Sequence, residues 1–220
     1  MSRIVVVGAG GRTGMLIVKA LLVRKDQVVA TIRNPKQMAS LVKLGAETVL
    51  LDLVESPFDE WVHAFKGADA VVFAAGSATG ESSALDRKGT LRTVRAAEKA
   101  GVKRYLTISS IGASTGMKLT GEWATDEMRD YYKQKRAANK LLTGSTLQWT
   151  ILEPGELSDG KGTGKVKASI EAIKEGKIAR ADVAAVMAIA AHDKATAGKV
   201  FQLVGGKSPI EQALAEAMGK

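Results

Sequence analysis

The chain has no cysteine, two histidines, four prolines and only 5% aromatic residues. Without cysteine there is no disulfide, no thiolate nucleophile and no sulfur-ligated metal. His63 and His192 lie far apart in different helical patterns, so no zinc or transition-metal centre is expected. No apolar run approaches the ~20 residues of a membrane span. A strand pattern begins after two residues, leaving no room for a charged leader and apolar signal region. These absences point to a cytoplasmic protein that makes no membrane contact. Fixed-period repeats and long low-complexity segments are missing too.

The chain has 220 residues, 45% of them hydrophobic, enough for one large core in a single domain spanning 1–220. Lys and Arg number 32 against 23 Asp and Glu, a net charge of +9 that favours anionic partners such as phosphorylated cofactors. The basic residues, among them Lys19, Arg24, Lys25, Lys99, Lys103 and Arg104, are dispersed, and no compact basic arm appears. That dispersal argues for a solvated basic surface and against a nucleic-acid footprint. Oligomeric state leaves no mark on the sequence.

The opening segment carries the most chemistry. Arg3-Ile4-Val5-Val6-Val7 reads as a buried strand and runs into Gly8-Ala9-Gly10-Gly11-Arg12-Thr13-Gly14, after which Met15–Val23 reads as a helix. Glycines let the backbone turn sharply beneath a phosphate, and the free amides of a helix N-terminus face that anion. The glycine spacing is Gly8-x-x-Gly11-x-x-Gly14, with Gly10 adding freedom. The commoner G-x-G-x-x-G spacing would put its last glycine where Thr13 stands. Strand, turn and helix together predict a dinucleotide site.

Strand-like runs recur at Ile4–Val7, Val28–Ile32, Thr48–Leu51, Ala70–Phe73, Arg104–Ser109, Trp149–Leu152 and Val200–Val204. Helical patterns over 11–24, 35–44, 57–65, 82–100 and 123–143 separate them. This alternation predicts an α/β fold, a Rossmann-type doubly wound parallel sheet with helices on both faces. Asn34-Pro35 and Ser56-Pro57 start helices, and Gly45 and Gly101 end them. After Pro154 the regularity breaks, and Ser158-Asp159-Gly160-Lys161-Gly162-Thr163-Gly164 reads as a flexible loop or tight turn cluster. Residues 155–180 are expected to form a small substrate-side or lid segment, followed by helices near 181–191 and 209–218.

The end of the second strand selects the cofactor. An NAD site offers a carboxylate to the ribose about 20 residues after the glycine loop. Here the sequence is Thr31-Ile32-Arg33-Asn34. Arg33, with Arg12 approaching from the loop, suits the 2′-phosphate of NADP. Asp52-Leu53 after the third strand could place a carboxylate near the adenine, with a helix cap or a solvated loop residue as the alternative for Asp52. Ala74-Ala75-Gly76 after the fourth strand lets the backbone approach the cofactor.

Tyr131 and Lys135 have i,i+4 spacing and share a helix face. Ser109 and Ser110 close the fifth strand at the carboxyl edge, where open α/β sheets bind ligands. Tyr131 is then a candidate proton donor to a carbonyl oxygen, a serine orients that oxygen, and Lys135 bonds the nicotinamide ribose. An alternative register turns Tyr132 toward the pocket instead.

These motifs, with Trp149-Thr150-Ile151-Leu152-Glu153-Pro154-Gly155 and Ala181-Asp182-Val183-Ala184, run through nearly the whole chain. Together they resemble the atypical short-chain dehydrogenase/reductases of the NmrA-like NAD(P)H-binding group, similar to bacterial relatives of biliverdin/flavin reductase. The resemblance implies a Rossmann core with bound NADP(H). Gly8, Gly11, Arg12 and Gly14 would contact phosphate, Arg33 would read the 2′-phosphate, and Ser109 and Pro154-Gly155 would lie beside the nicotinamide. Glu153 departs from the pattern, since many relatives carry Arg there, and is expected to change the charge near the substrate pocket.

The leading expectation is an NADPH-dependent oxidoreductase passing hydride to a small conjugated acceptor, a quinone, flavin or carbonyl compound. The alternatives are an NADP(H)-sensing regulatory protein with little turnover and an NADP-dependent epimerase or isomerase.

Overall fold

The computed structural model describes residues 1–76 and 83–220, the side chains of Ser83, Ala84 and Trp123 excepted. Its centre is a sheet in which seven parallel strands follow the order β3-β2-β1-β4-β5-β6-β10. The first four are β1 (Arg3–Val7), β2 (Gln27–Ile32), β3 (Glu47–Leu50) and β4 (Ala70–Phe73). The others are β5 (Arg104–Ile108), β6 (Gln148–Pro154) and β10 (Lys199–Gly205). Each of the seven was legible as a short β-branched run; all but the edge strand β3 are largely buried, and strands buried on both faces need little polar alternation.

The two faces are covered by different helices. Ile4 and Val6 point to the layer holding α1 (Arg12–Val23), α2 (Met38–Leu44), α6 (Arg180–His192) and α7 (Ile210–Ala217). Val5 and Val7 point to the opposite layer, with α3 (Phe58–Phe65), α4 (Gly89–Lys99) and α5 (Asp126–Thr143). One strand thus feeds two cores through the two-residue period of its side chains. The order reverses at β1: one half of the chain winds outward through β2 and β3, the other through β4. That reversal opens a crevice at the carboxyl ends of β1 and β4.

The parallel expectation fails at one edge. β8 (Lys165–Ser169) runs antiparallel to β10, and the two-residue β11 (Ser208–Pro209) antiparallel to β8. Residues 155–164 return the chain from β6 to β8 without a helix, so no helical crossover sets β8 parallel to its neighbours. The segment after Pro154 also forms a separate parallel pair, β7 (Glu156–Ser158) with β9 (Lys177–Ala179), which the sequence did not signal.

Helix starts differ as well. Pro35–Gln37 and Gly121–Trp123 are 3-10 turns ahead of α2 and α5. Asn34 caps the first by accepting the Lys36 amide at 3.0 Å. Ser82, where the fourth helical pattern begins, lies outside the described residues. The described part of that pattern is a π-helical turn over Ser83–Lys88 followed by α4. Gly45 and Gly101 take left-handed conformations, φ 99° and 77°, as helix-ending glycines do.

Candidate active site

The glycine loop bridges β1 and α1 at the crevice. Gly8 has φ 77°, and a side chain there would run into the Ala75 backbone, 2.8 Å from its N and Cα. The Ala74 amide donates to the Val7 carbonyl at 2.9 Å. Gly8 and Ala74-Ala75-Gly76 therefore meet backbone to backbone. Gly14 packs against the Gly8 carbonyl, where a Cβ would collide and would stand only 3.0 Å from the Ala9 Cα. Gly11 caps α1 without a side-chain hydrogen bond, and no acidic residue occupies the helix's first turn. Uncapped amides over a bare glycine cradle suit a diphosphate. The residues fit a dinucleotide.

Gln37, which sequence reasoning missed, lies over this loop and donates from Nε2 to the Gly10 carbonyl at 2.9 Å. Thr13 is half-buried in the first turn of α1. Both arginines assigned to phosphate are exposed and face carboxylates. Arg12 Nη1 lies 2.9 Å from Asp159 Oδ2, and Arg33 Nε lies 3.8 Å from Asp52 Oδ2. Asp52 also accepts the Val54 and Glu55 amides at 2.7 and 3.1 Å, which makes it the cap of the turn after β3. The Leu53 side chain turns into the core against Gly89.

Around β5 the structure separates the two tyrosines. Tyr132 is buried, its hydroxyl donating to the Ile111 carbonyl at 3.1 Å and accepting from Ser110 Oγ at 3.3 Å. Burial pushes its ionisation up, against the favourable Ser110 bond. That hydroxyl anchors the loop after β5. Tyr131 is half-exposed, with Lys135 Nζ 5.6 Å from its ring centroid. Lys135 Nζ also reaches the Ile108 carbonyl at 3.4 Å, one residue before Ser109. Ser109 is 5% exposed, and its hydroxyl has no hydrogen-bond partner among the described residues. Tyr131, Lys135 and the end of β5 thus come together.

Asp86 joins them unannounced by the sequence. Its carboxylate pairs with Lys135 Nζ at 2.9 Å, and both are buried. A Cβ on Gly76 would stand 3.5 Å from Asp86 Oδ1 and 3.6 Å from Lys135 Nζ, which links this pair to the backbone that meets Gly8.

Pro154 and Gly155 are buried. The Pro154 carbonyl accepts the Ile111 amide at 2.9 Å, and the Gly155 amide donates to Leu203 at 2.8 Å. Glu153 overturns its expectation. It is fully buried, with Oε1 accepting from the Ser114 amide at 2.7 Å and Asn139 Nδ2 at 3.1 Å, and Oε2 accepting from Gln202 Nε2 at 3.2 Å. β6 is buried on both faces here, so this carboxylate is closed off from solvent, and desolvation raises its pKa above that of an ordinary glutamate.

Among the described residues no group of three or more His, Asp or Glu side chains could hold a metal, and no helix is long and apolar enough to cross a membrane.

A bare glycine cradle at the switch point of a mostly parallel sheet defines a Rossmann-type NAD(P)-binding protein. The chain belongs to the NAD(P)H-binding family, whose model matches residues 8–194. It is 36% identical over 217 residues to a Bacillus subtilis (strain 168) protein named the uncharacterized sugar epimerase YhfK, covering 96% of this chain and 98% of that one. A solved Bacillus halodurans protein, provisionally described as an NAD-dependent epimerase/dehydratase, superposes with a TM-score of 0.88. Its identity is 35%, over 98% of this chain and 100% of the other. ChuY, an anaerobillin reductase from Escherichia coli O157:H7, gives a TM-score of 0.82 at 26% identity, over 94% and 98%. The chain is therefore homologous to proteins named as reductases and as epimerase/dehydratases.

Proposed function

We propose that this chain is an NADP(H)-dependent hydride-transfer enzyme for a small hydroxyl- or carbonyl-bearing substrate, working as an epimerase or isomerase that reuses its cofactor within each turnover. The observation that carries the chemistry is the half-exposed Tyr131 beside the buried Lys135 at the end of β5. When bound, the nicotinamide accepts or supplies the hydride. Tyr131 takes the hydroxyl proton as the substrate is oxidised and returns it on re-reduction, Lys135 bonds the ribose, and Ser109 orients the reacting oxygen. Gly8, Gly10, Gly11, Thr13 and Gly14 cradle the diphosphate, while Arg12 and Arg33 take the 2′-phosphate.

What supports cofactor reuse is that the relatives at 35–36% identity carry epimerase names. Asp159 bridges Arg12 to Arg180, 2.9 and 2.8 Å away, and ties the segment after β7 to the glycine loop. Net reduction of a quinone, flavin or carbonyl acceptor is the second reading, favoured by the similarity to ChuY.

The test is stoichiometric. Sugars and related polyols are incubated with the protein and NADP, acceptors with the protein and NADPH, and products are followed by NMR beside cofactor absorbance. Conversion without cofactor loss is expected, with Tyr131→Phe reducing turnover about 100-fold or more while still binding NADPH. Stoichiometric NADPH oxidation selects the reductase reading. Turnover indifferent to Tyr131→Phe removes the proposed acid, and failure to bind either nicotinamide dinucleotide removes the whole proposal.

A further inference from the structure

A lysine ammonium taken out of water either finds a counter-charge or gives up its proton. Lys135 is in that position: its side chain is 7% exposed, and the carboxylate of Asp86, 1% exposed, lies 2.9 Å away. The other groups near the ammonium are the Ile108 carbonyl at 3.4 Å and the Tyr131 ring at 5.6 Å. The titratable or charged groups facing it are Asp86 on the π-helical turn and Tyr131 on its own helix, whereas Arg136 and Glu153 act on the neighbouring Tyr132. Asp86 forms no other ion pair among the described residues. The carboxylate sits in the π-helical turn Ser83–Lys88 that precedes α4, and such turns break regular helical register, often at functional sites.

We propose that Asp86 is a positioning residue of the active site, holding the Lys135 ammonium charged and in place between Gly76 and the end of β5. This rests on the reading of Lys135 as a cofactor contact. Asp86 touches neither cofactor nor substrate and acts only through the lysine. Burial alone works against the charged ammonium. Tyr131 and Asp86 outweigh it, so the group stays protonated to higher pH than an ordinary lysine. Without the carboxylate, desolvation is left as the strongest influence, and the ammonium should lose its proton earlier.

The measurement is NADPH affinity against pH, by fluorescence, for the parent chain, Asp86→Asn and Asp86→Glu. The parent should hold its affinity into alkaline solution. Asp86→Asn should lose the Lys135 contribution about one pH unit or more lower, with Asp86→Glu restoring much of the difference. A merely structural role would lower affinity equally at every pH, so parallel or superimposed profiles overturn the proposal. If Asp86→Asn does not fold, stability decides. Asp86→Asn combined with Lys135→Met should regain the fold, because a neutral pair leaves no stranded charge, and a double variant as unstable as the single one overturns the proposal. Should the parent chain fail to bind NADPH, the cofactor reading falls, and the stability comparison still tests the Asp86–Lys135 dependence by itself.

Discussion

Replacing Gly14 by Ala tests the cofactor loop most directly. The added Cβ collides with the Gly8 carbonyl oxygen and comes within 3.0 Å of the Ala9 Cα, both rigid backbone atoms. Helix and loop must move apart, an overpacking cost of about 3 kcal/mol at a site that cannot yield by rotating a side chain. Alanine's better helix propensity returns about 1 kcal/mol. The net loss is about 2 kcal/mol, which lowers the melting temperature by about 4–8 °C in a chain of this size. Displacing the amides that face the diphosphate should weaken NADPH binding by about tenfold or more, since the loss of even one charge-assisted bond is worth about 1.5 kcal/mol. Gly10→Ala is the internal comparison: its Cβ meets only the tip of the flexible Gln37 side chain, so its melting temperature should stay close to the parent's. Calorimetry supplies both numbers, from thermal scans and NADPH titrations. A Gly14→Ala protein that melts with the parent and binds NADPH equally well would refute the tight loop–helix contact and the cradle argued from it.

Two further outcomes follow from charge. Arg33→Gln should raise the Kd for NADPH about 10- to 100-fold, the worth of one or more charge-assisted bonds, and leave NADH nearly unchanged; titration with both cofactors checks this, and equal losses would remove Arg33 from the 2′-phosphate. Glu153→Gln should alter how stability depends on pH. The buried carboxyl ionises above 4.5, so from that pH upward the unfolded chain releases this proton before the folded one does. Stability contributed by the protonated group is present in acid and lost as pH rises through its folded pKa. Relative to Glu153→Gln the parent should therefore weaken from acid toward neutral pH, and urea melts of the two proteins with a constant gap would contradict the raised pKa.

Much of the fold could be read from local pattern. The seven parallel strands announce themselves as short β-branched runs, and the glycine loop between β1 and α1 is visible because its conformation demands the residues it contains. Tyr131 and Lys135 could be paired because helical spacing places them on one face. Other features had no local signal. Asp86 looks like any acidic residue in a helical stretch until the π-helical turn sets it against Lys135. Gln37 becomes part of the glycine loop only when β1 and β2 pair. Asp159, inside a glycine-rich stretch, meets Arg12 from far along the chain.

By itself the sequence determined the order of the seven parallel strands and the helices between them, the bare cradle for a dinucleotide and the absence of thiol chemistry, since each depends on residue type and near spacing alone. The tertiary structure decided which tyrosine is tied to the loop after β5, which carboxylate balances the lysine and where Glu153 is buried. Those outcomes depend on burial and on charges brought together across the chain. Desolvation and Coulomb interaction act through space, and distance in space is not written into distance along the sequence.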